Sequence, residues 1–330
     1  MIRSIIKLSF SFILVLVVAG NVCAQPSLIT AADRKKLQVK EDSLREWAQY
    51  LVTDSLTEDR MYSDSIFTRT LVRALQVKNS FYYPFDSVFG ISRLYAPDTS
   101  FRILTWNLTI DDYYSRQKGA IQMRTRDGSL KLFPLIDSSE FATTTDNYVT
   151  DNRHWIGAVY YNIKKTTFKG KSYYTLFGLD HSSATTNMKW VEVLTFNEKG
   201  QPTFGGPFFS YELDSVKQKP KYRLNLEYKK GTRVLVNYID ELDLILVDHL
   251  ISETDQPELA STLVPDGDSE GYKWENGKWV HIDKVFNFKL QDGQAPVGEP
   301  LMDTRGNKNE LKLLEKTEKN KQKPPVKKDP

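Results

Sequence analysis

The sequence predicts an α+β protein that is mainly β, with an N-terminal helical hairpin followed by a large antiparallel β-sheet domain. Three observations lead to this prediction. Apolar residues recur at helical spacing before residue 80, short runs of β-branched and aromatic residues separated by turn residues follow, and no helices alternate with those runs. The lack of alternating helices disfavours a parallel sheet, so we expect an antiparallel barrel, sandwich or meander.

The first 24 residues have the pattern of a secretory signal peptide. Arg3 and Lys7 precede an apolar run from Leu8 to Ala19, and the small-residue site that ends in Ala24 precedes Gln25. The run is shorter than the roughly 20 residues that a membrane helix needs, and no second run approaches that length. We therefore expect an exported protein, periplasmic or extracellular, whose mature chain has no transmembrane segment.

Cleavage after Ala24 would also remove Cys23, the one cysteine of the 330 residues. A mature chain without cysteine has no disulfide, no thiolate metal ligand and no cysteine nucleophile. Its charge is uneven, because residues 305–330 hold nine Lys or Arg and four Asp or Glu, whereas residues 25–304 hold 34 and 38. No nucleic-acid partner is predicted, because the tail lysines have no interleaved aromatic residues and an exported chain meets little nucleic acid.

The rest of the chain divides into three segments. Residues 25–80 contain one amphipathic helix from Ala31 to about Val52 and a second from about Leu56 to Val77, with Asp54 or Ser55 as its cap. Neither helix can bury its apolar stripe alone, so we expect the hairpin to pack on the sheet. Residues 81–290 form the β domain, and residues 291–330 are expected to be a disordered basic tail.

The strands are organised around the stretch from Trp155 to Phe209, where three apolar runs are separated by polar turns. The last hairpin contains Asn276-Gly277, a pair that favours positive φ at both turn positions. The predicted strands are Val88–Tyr95, Phe101–Ile110, Ala120–Thr125, Leu130–Ile136, Ile156–Ile163, Tyr173–Leu179, Trp190–Phe196, Tyr222–Tyr228, Thr232–Tyr238, Leu242–Leu250 and, including the last hairpin, Gly271–Phe288.

The candidate catalytic residues are Asp180, His181 and His249, and no motif with a specific mechanism supports them. Asp180, His181 and the two following serines have the residue types of a hydrolytic triad, but neighbours on a strand point to opposite faces and no Gly-x-Ser-x-Gly elbow occurs. His249 could meet His154 or His181 to bind a metal, but no paired-histidine motif places two ligands on one side. Hydrogen-bonded structural histidines are the simpler interpretation.

Asp266, Asp268 and Glu270 are the candidate metal ligands, because with Gly271 they imitate the start of a calcium-binding loop. The twelfth position, where a bidentate glutamate should complete the coordination, is Gly277, and a strand pattern follows instead of a helix. A plain acidic turn before the last hairpin is the simpler interpretation, with a calcium-stabilised module as the alternative. No cofactor is predicted.

Aromatic residues concentrate in the central stretch. They could line a groove for carbohydrate or lipid, since aromatic rings give a large contact area. Strands are also built from such residues, so core packing is expected to account for most of them. The residues are Trp155, Tyr160, Tyr161, Tyr173, Tyr174 and Trp190.

Four pieces of the sheet region carry a resemblance: KGKSYYTLFGLD, KWVEVLTFNEKGQPTFGGPFF, ILVDHL and GYKWENGKWVHIDKV. Over roughly residues 80–290 the chain resembles an uncharacterised family of exported β-rich proteins of Gram-negative bacteria, which has no assigned activity. The resemblance implies export and an independent β domain, and it supplies no catalytic residue. The residues that fit the family's Gly- and Pro-rich stretch are Gly200, Pro202, Phe204, Gly205, Pro207 and Phe208.

The leading functional hypothesis is non-catalytic binding or an envelope-associated structural role, with an envelope component or a carbohydrate as the candidate partner. The competing hypothesis is a hydrolase that acts on envelope polymers or glycans through a carboxylate pair. Two carboxyl groups about 5 to 9 Å apart in a cleft would favour the enzyme. The candidate carboxylates are Asp111, Asp112, Asp180, Asp240 and Asp243.

Overall fold

A computed structural model of the chain describes residues 28–141, 147–181 and 183–285. The predicted signal peptide and the predicted basic tail lie outside these ranges. Within them, two helices are followed by strands that form three separate sheets, which confirms the predicted α+β, mainly β fold with the helices first. The three sheets are open, so the barrel alternative does not apply to the described chain.

The two helices begin and end within two residues of their predicted positions. Helix α1 spans Ala31–Thr53 and α2 spans Thr57–Leu75. The hydroxyl oxygen of Thr30 caps α1 by accepting a hydrogen bond from the backbone N–H of Asp33 at 3.1 Å. The predicted cap of α2 by Asp54 or Ser55 is wrong, because Leu56 occupies the N-cap position and makes no side-chain hydrogen bond.

The first sheet is an antiparallel meander of four strands in chain order, and one of its faces carries the helices. Phe67 of α2 meets Trp106 of the sheet with ring centroids 5.2 Å apart, and the Trp106 indole N–H donates to Asp64 Oδ1 at 2.9 Å. The predicted packing of the helical hairpin on the sheet is confirmed. The strands are β1 (Ile91–Tyr95), β2 (Phe101–Thr109), β3 (Ser115–Met123) and β4 (Lys131–Ile136).

The second sheet has six strands in the order β5–β9–β8–β7–β6, with β11 pairing β8 beyond the end of β9. Its pairs are all antiparallel. The strands are β5 (Thr150–Asp151), β6 (Val159–Phe168), β7 (Lys171–Asp180), β8 (Thr186–Phe196), β9 (Pro202–Phe204) and β11 (Arg223–Lys229).

The third sheet has five strands in the order β10–β15–β14–β13–β12, and its pairs are antiparallel except for β10 with β15, which is parallel. The predicted acidic turn at residues 266–271 is wrong, because these residues belong to the long strand β14. The strands are β10 (Phe209–Ser210), β12 (Val236–Ile239), β13 (Leu244–Ser252), β14 (Leu263–Glu275) and β15 (Lys278–Ile282).

The first sheet is buried on both faces, because it lies between the helices and the second sheet. Along β2, Phe101 and Ile103 enter the core shared with the second sheet, whereas Leu104 and Trp106 enter the core shared with the helices. Alternate residues of a strand point to opposite faces, so β2 is buried along nearly its whole length, and its buried residues include Arg102 and Thr105.

The second sheet is sandwiched in the same way between the first and third sheets. On β8, Trp190 and Leu194 pack toward the first sheet, while Val191 and Val193 pack toward the third. Trp279 of β15 reaches across this second interface, and its indole N–H donates to Thr175 Oγ1 of β7 at 2.9 Å. The described chain is therefore a stack of one helical layer and three sheets, and the site below lies between the last two.

Candidate functional site

The hairpin between β14 and β15 positions the only histidine that is buried in the described chain, His281. Asn276 and Gly277 have φ of 51° and 82°, as the Asn-Gly prediction requires, so the prediction for this turn is confirmed. This two-residue turn fixes the register that places Tyr272 opposite His281. His281 shares its face of β15 with Trp279, two residues earlier, and so faces the interior.

His281 lies between two carboxylates. Its Nδ1 is 2.9 Å from Asp214 Oδ2, and its Nε2 is 3.2 Å from Glu270 Oε2. Asp214 comes from the loop that follows β10, whereas Glu270 comes from β14. An imidazole can donate from both nitrogens only when it is protonated, so the geometry fits an imidazolium shared by two carboxylates.

The carboxylates raise the pKa of His281. Burial alone would lower this pKa, but the hydrogen bonds and negative charges of Glu270 and Asp214 outweigh it. The hydrogen bond from His281 lowers the pKa of Glu270 against the opposing effect of burial. Both shifts favour the charged pair.

Two tyrosines hold the imidazole from the sides. The rings of Tyr211 and Tyr272 lie 5.1 and 5.0 Å from the His281 ring, and the two hydroxyl oxygens are 3.1 Å apart. Burial raises the pKa of Tyr272 well above its usual value, so its hydroxyl stays protonated. With Asp214 and Glu270, these residues hold His281 in one orientation, and we call the five side chains the His281 cluster.

The His281 cluster forms one wall of a cavity of about 340 Å³ between the second and third sheets, which we call the His281 cavity. This volume lies at the small end of the range of ligand pockets. Polar residues from several elements, including Lys189, Lys221 and Asp283, surround it. Its apolar lining consists of Val191, Leu224, Leu226, Val236 and Val247.

The chemistry of the His281 cavity suits binding better than catalysis. Both ring nitrogens of His281 are occupied by carboxylates, so neither is free to take a proton from a substrate. The residues that line the cavity include no serine, threonine or cysteine that an adjacent base could activate. The cavity therefore offers a ligand the charged wall of the His281 cluster and an apolar surface beside it.

The structure separates the two residues of the predicted triad. Asp180 is buried and accepts a hydrogen bond from Gln117 Nε2 at 2.6 Å. His181 is exposed, and its Nδ1 lies 2.8 Å from Asn187 Oδ1. Ser182 lies outside the described residues, and the hydroxyl oxygen of Ser183 accepts backbone N–H groups of its own turn.

His181 does lie near two of the predicted carboxylates. An open cavity of about 560 Å³ is lined by His181, Asp111 and Asp112, and both aspartates are exposed on the turn between β2 and β3. The other two candidates lie elsewhere, on the turn between β12 and β13. There Asp240 pairs with Lys164 Nζ at 3.0 Å, and Asp243 accepts from the Tyr238 hydroxyl.

His249 is exposed and pairs with Asp266, the first of the predicted metal ligands, at 2.8 Å. Asp268 pairs weakly with Lys284 at 3.5 Å, and Glu270 contacts His281, so each of the three acids faces a different cation. Among the described residues, no group of three His, Cys, Asp or Glu side chains has the geometry to hold a metal ion. A cavity of about 460 Å³ beside His249 also reaches Glu270.

Most of the aromatic residues considered for a groove are core residues. Trp155, Tyr160, Tyr174 and Trp190 are buried between the first and second sheets, as expected from core packing. Trp155 donates its indole N–H to Tyr160 Oη at 2.7 Å within that core. These side chains are therefore not available as a binding platform.

The sequence interpretation missed His281 although it contained a signal. The Asn-Gly turn fixes the pairing of the last hairpin, which places His281 across from Tyr272 and on the face of the buried Trp279. A histidine there is expected to point into the core. The contribution of Asp214 had no such signal, because it comes from a loop remote in sequence.

No family model, curated protein or solved structure matches this chain. Its described helices include none that is both long enough and apolar enough to span a membrane.

Proposed function

We propose that the protein is an exported, non-catalytic binding protein and that the His281 cavity is its ligand site. The observation that supports this most is a cavity with a partly apolar lining and one wall formed by a charged cluster whose members are fixed by one another. Ligand pockets in proteins combine these features, an apolar surface and a few convergent polar groups. The N-terminal pattern supports export, and the ligand would then come from the envelope or the medium.

The arrangement is preorganised for binding. Tyr211 and Tyr272 are buried, so they lose little further side-chain freedom when a ligand enters. The cavity walls come from two sheets joined by a continuous core, and Val191, Val236 and Val247 belong to that core. A ligand there would replace water on the apolar lining without requiring the layers to separate.

Hydrolysis by a carboxylate pair has less support. Asp111 and Asp112 are exposed on a turn, Asp180 is buried against Gln117, and the other two candidates lie on a different turn. General acid catalysis by a carboxyl group needs an environment that raises its pKa, such as a hydrophobic pocket. Solvated turns do not provide that environment.

Export predicts a defined mature N-terminus. When the full chain is expressed in a Gram-negative host, we expect the protein outside the cytoplasm to begin at Gln25, because Ala24 ends the small-residue cleavage site. Intact-mass measurement of the periplasmic and medium fractions checks this. Ala24→Arg should abolish cleavage, and an unprocessed wild-type chain found only in the cytoplasm would refute export.

If the ligand binds in the His281 cavity, a larger side chain that fills the cavity should weaken its binding. We would titrate the full chain with octanoate, octylammonium and octyl glucoside, which share an eight-carbon chain, and expect at least one to bind. Leu224→Trp should weaken that binding about tenfold or more, a change of about 1.4 kcal/mol, because the indole would occupy the cavity.

The matched control is Leu213→Trp, which places the same side chain on an exposed loop. It should leave the affinity unchanged. Isothermal calorimetry gives the affinities, and thermal unfolding shows whether both variants are folded. If none of the probes binds the wild-type chain, or if Leu224→Trp binds them equally well, the His281 cavity is not the ligand site.

A further inference from the structure

Two lysines of the His281 cavity have no carboxylate partner. Among the residues that the structure describes, neither Lys189 nor Lys221 forms an ion pair. Thirteen ion pairs do form in the same part of the chain, so carboxylates are not scarce. Most of the described lysines form no ion pair either, so what marks this site is that two such lysines line one cavity.

The ammonium group of Lys189 is held in place. Lys189 Nζ donates one hydrogen bond, to the carbonyl oxygen of Val234 at 2.5 Å, and lies 5.2 Å from the Tyr161 ring centroid. An ammonium has three donors, so this contact leaves others for a ligand. Burial lowers the pKa of Lys189, and the negative charge of Asp248 opposes this shift only in part.

Lys221 is anchored through its backbone. Its N–H donates to Phe209 O at 2.9 Å, and its carbonyl oxygen accepts from the Phe209 N–H at 3.1 Å. Its Nζ lies 5.7 Å from the ring centroid of Tyr211, a member of the His281 cluster. The second cation therefore lies beside the wall that the cluster forms, on a segment whose backbone is held by Phe209.

The single positive charge of His281 offsets only one of the two carboxylates that contact it, and the charge of Lys221 also acts on Glu270. Asp214 and Glu270 share the proton-bearing nitrogens of His281, and Asp283 is exposed. The cations without partners are thus on the side formed by β8 and the segment before β11, while the acids lie on the side of β14, β15 and the loop after β10. A negative ligand group meets its complement on the lysine side.

The rest of the lining favours an apolar body on that ligand. Val191, Val236 and Val247 form the buried part of the lining, and Leu224 and Leu226 are half-buried beside them. Covering such a surface with an alkyl chain contributes about 0.8 kcal/mol for each CH₂ group buried. The valines are already almost inaccessible to water, so Leu224 and Leu226 offer most of the apolar surface that a chain could cover.

We propose that the His281 cavity binds an organic acid with an apolar chain, whose carboxylate is held by Lys189 and Lys221 and whose chain covers the valine and leucine lining. This inference rests on the proposed function, because it names the ligand class of the same site. It differs from the carbohydrate that the sequence suggested, since the unpaired charges at the cavity are cationic.

Octanoate and octylammonium test the inference, because they share one chain and differ in the sign of the head group. In calorimetric titrations of the full chain, octanoate should bind at least tenfold more tightly than octylammonium. Lys189→Met and Lys221→Met should each weaken octanoate binding about tenfold, since each removes a charge-assisted hydrogen bond. Lys189→Arg and Lys221→Arg should restore part of it.

Lys229→Met is the control, because Lys229 lies on β11 and pairs with Glu253 away from the cavity lining. Methionine keeps the apolar stem of lysine, so the variants should stay folded and unfold close to the wild-type temperature. Tighter binding of octylammonium, or octanoate binding that both Lys→Met variants retain, would overturn the inference and leave the proposed function standing. Failure of all three eight-carbon probes on the wild-type chain would overturn both.

Discussion

Replacement of Arg223 by methionine is expected to lower the free energy of unfolding by about 3–5 kcal/mol. Arg223 and Glu192 are buried between β11 and β8, with Arg223 Nε 2.8 Å from Glu192 Oε2. Without the guanidinium, the carboxylate would remain in the core with the Tyr160 hydroxyl as its partner. Urea unfolding of the full chain, followed by tryptophan fluorescence, measures the loss.

The guanidinium also donates to two backbone carbonyl oxygens and to one hydroxyl oxygen. Its Nη1 donates to Tyr148 O at 2.8 Å, and its Nη2 donates to Phe204 O at 3.0 Å and to Thr150 Oγ1 at 2.7 Å. A buried acceptor that loses its donor costs about 1–3 kcal/mol, and this cost is part of the predicted loss and not an addition to it. Arg223 therefore joins β5, β8, β9 and β11 in the second sheet.

Two further variants test whether the loss of stability comes from the buried ion pair and not from the removal of any charged side chain. Lys229→Met, at the other end of β11, breaks an ion pair whose two side chains are each 40% exposed, and should cost about 0–1 kcal/mol. The double variant Arg223→Met/Glu192→Met should recover part of the loss, because both buried charges are gone. If Arg223→Met costs no more than Lys229→Met, the pair does not stabilise the sheet.

The second large effect concerns pH. His281→Gln is expected to destabilise the protein by about 1–3 kcal/mol at pH 5.5, because Asp214 and Glu270 lose their shared cation. The wild type should become less stable as the pH rises above 6.5, and His281→Gln should show a smaller decrease over the same range. Urea unfolding at pH 5.5, 7.0 and 8.5 measures both effects.

The direction of the pH effect follows from the pKa shifts of His281 and Glu270. The pKa of His281 is raised in the folded state, so its stabilisation is complete below about 6.5, its usual pKa, and is lost as the pH rises through the folded-state pKa. The pKa of Glu270 is lowered, so its stabilisation is present above its usual 4.5 and is lost as the pH falls. The pair contributes most between these two values.

The control for this prediction is His154→Gln. His154 also binds a carboxylate, Asp151 at 2.9 Å, but its side chain is 74% exposed and solvent screens the interaction. This variant should keep the pH dependence of the wild type. A His281→Gln variant that keeps the same slope above pH 6.5 would show that the His281 cluster does not titrate with folding.

The local elements could be predicted because their signals lie within one segment. The three- and four-residue spacing of apolar residues located α1 and α2, and Asn276-Gly277 located the last turn. The short strands β5, β9 and β10 were missed, because two or three residues carry no periodic pattern. The acidic part of β14 was predicted to be a turn. The basic side chains that contact these acids come from other segments of the chain, so the local sequence does not indicate them.

Gly205, in the Gly- and Pro-rich stretch, is a second example of a contact that the sequence alone does not predict. Gly205 has φ of 81°, and a Cβ there would lie 3.0 Å from the guanidinium of Arg223. The sequence places this glycine in the Gly- and Pro-rich stretch but does not indicate the arginine that packs against it. Gly205 directly follows β9 and Arg223 begins β11, and only the pairing of β8 with β9 and β11 brings them together.

The order of local patterns along the chain decided the fold class, the helical hairpin and most of the strands, because helix and strand periodicities are properties of consecutive residues. The tertiary structure alone decided how the layers stack and where the candidate site lies. A strand's alternation says that it has two faces, but not which layer covers each of them. His281, Asp214 and Lys189 come from three segments that meet only when the third sheet closes on the second.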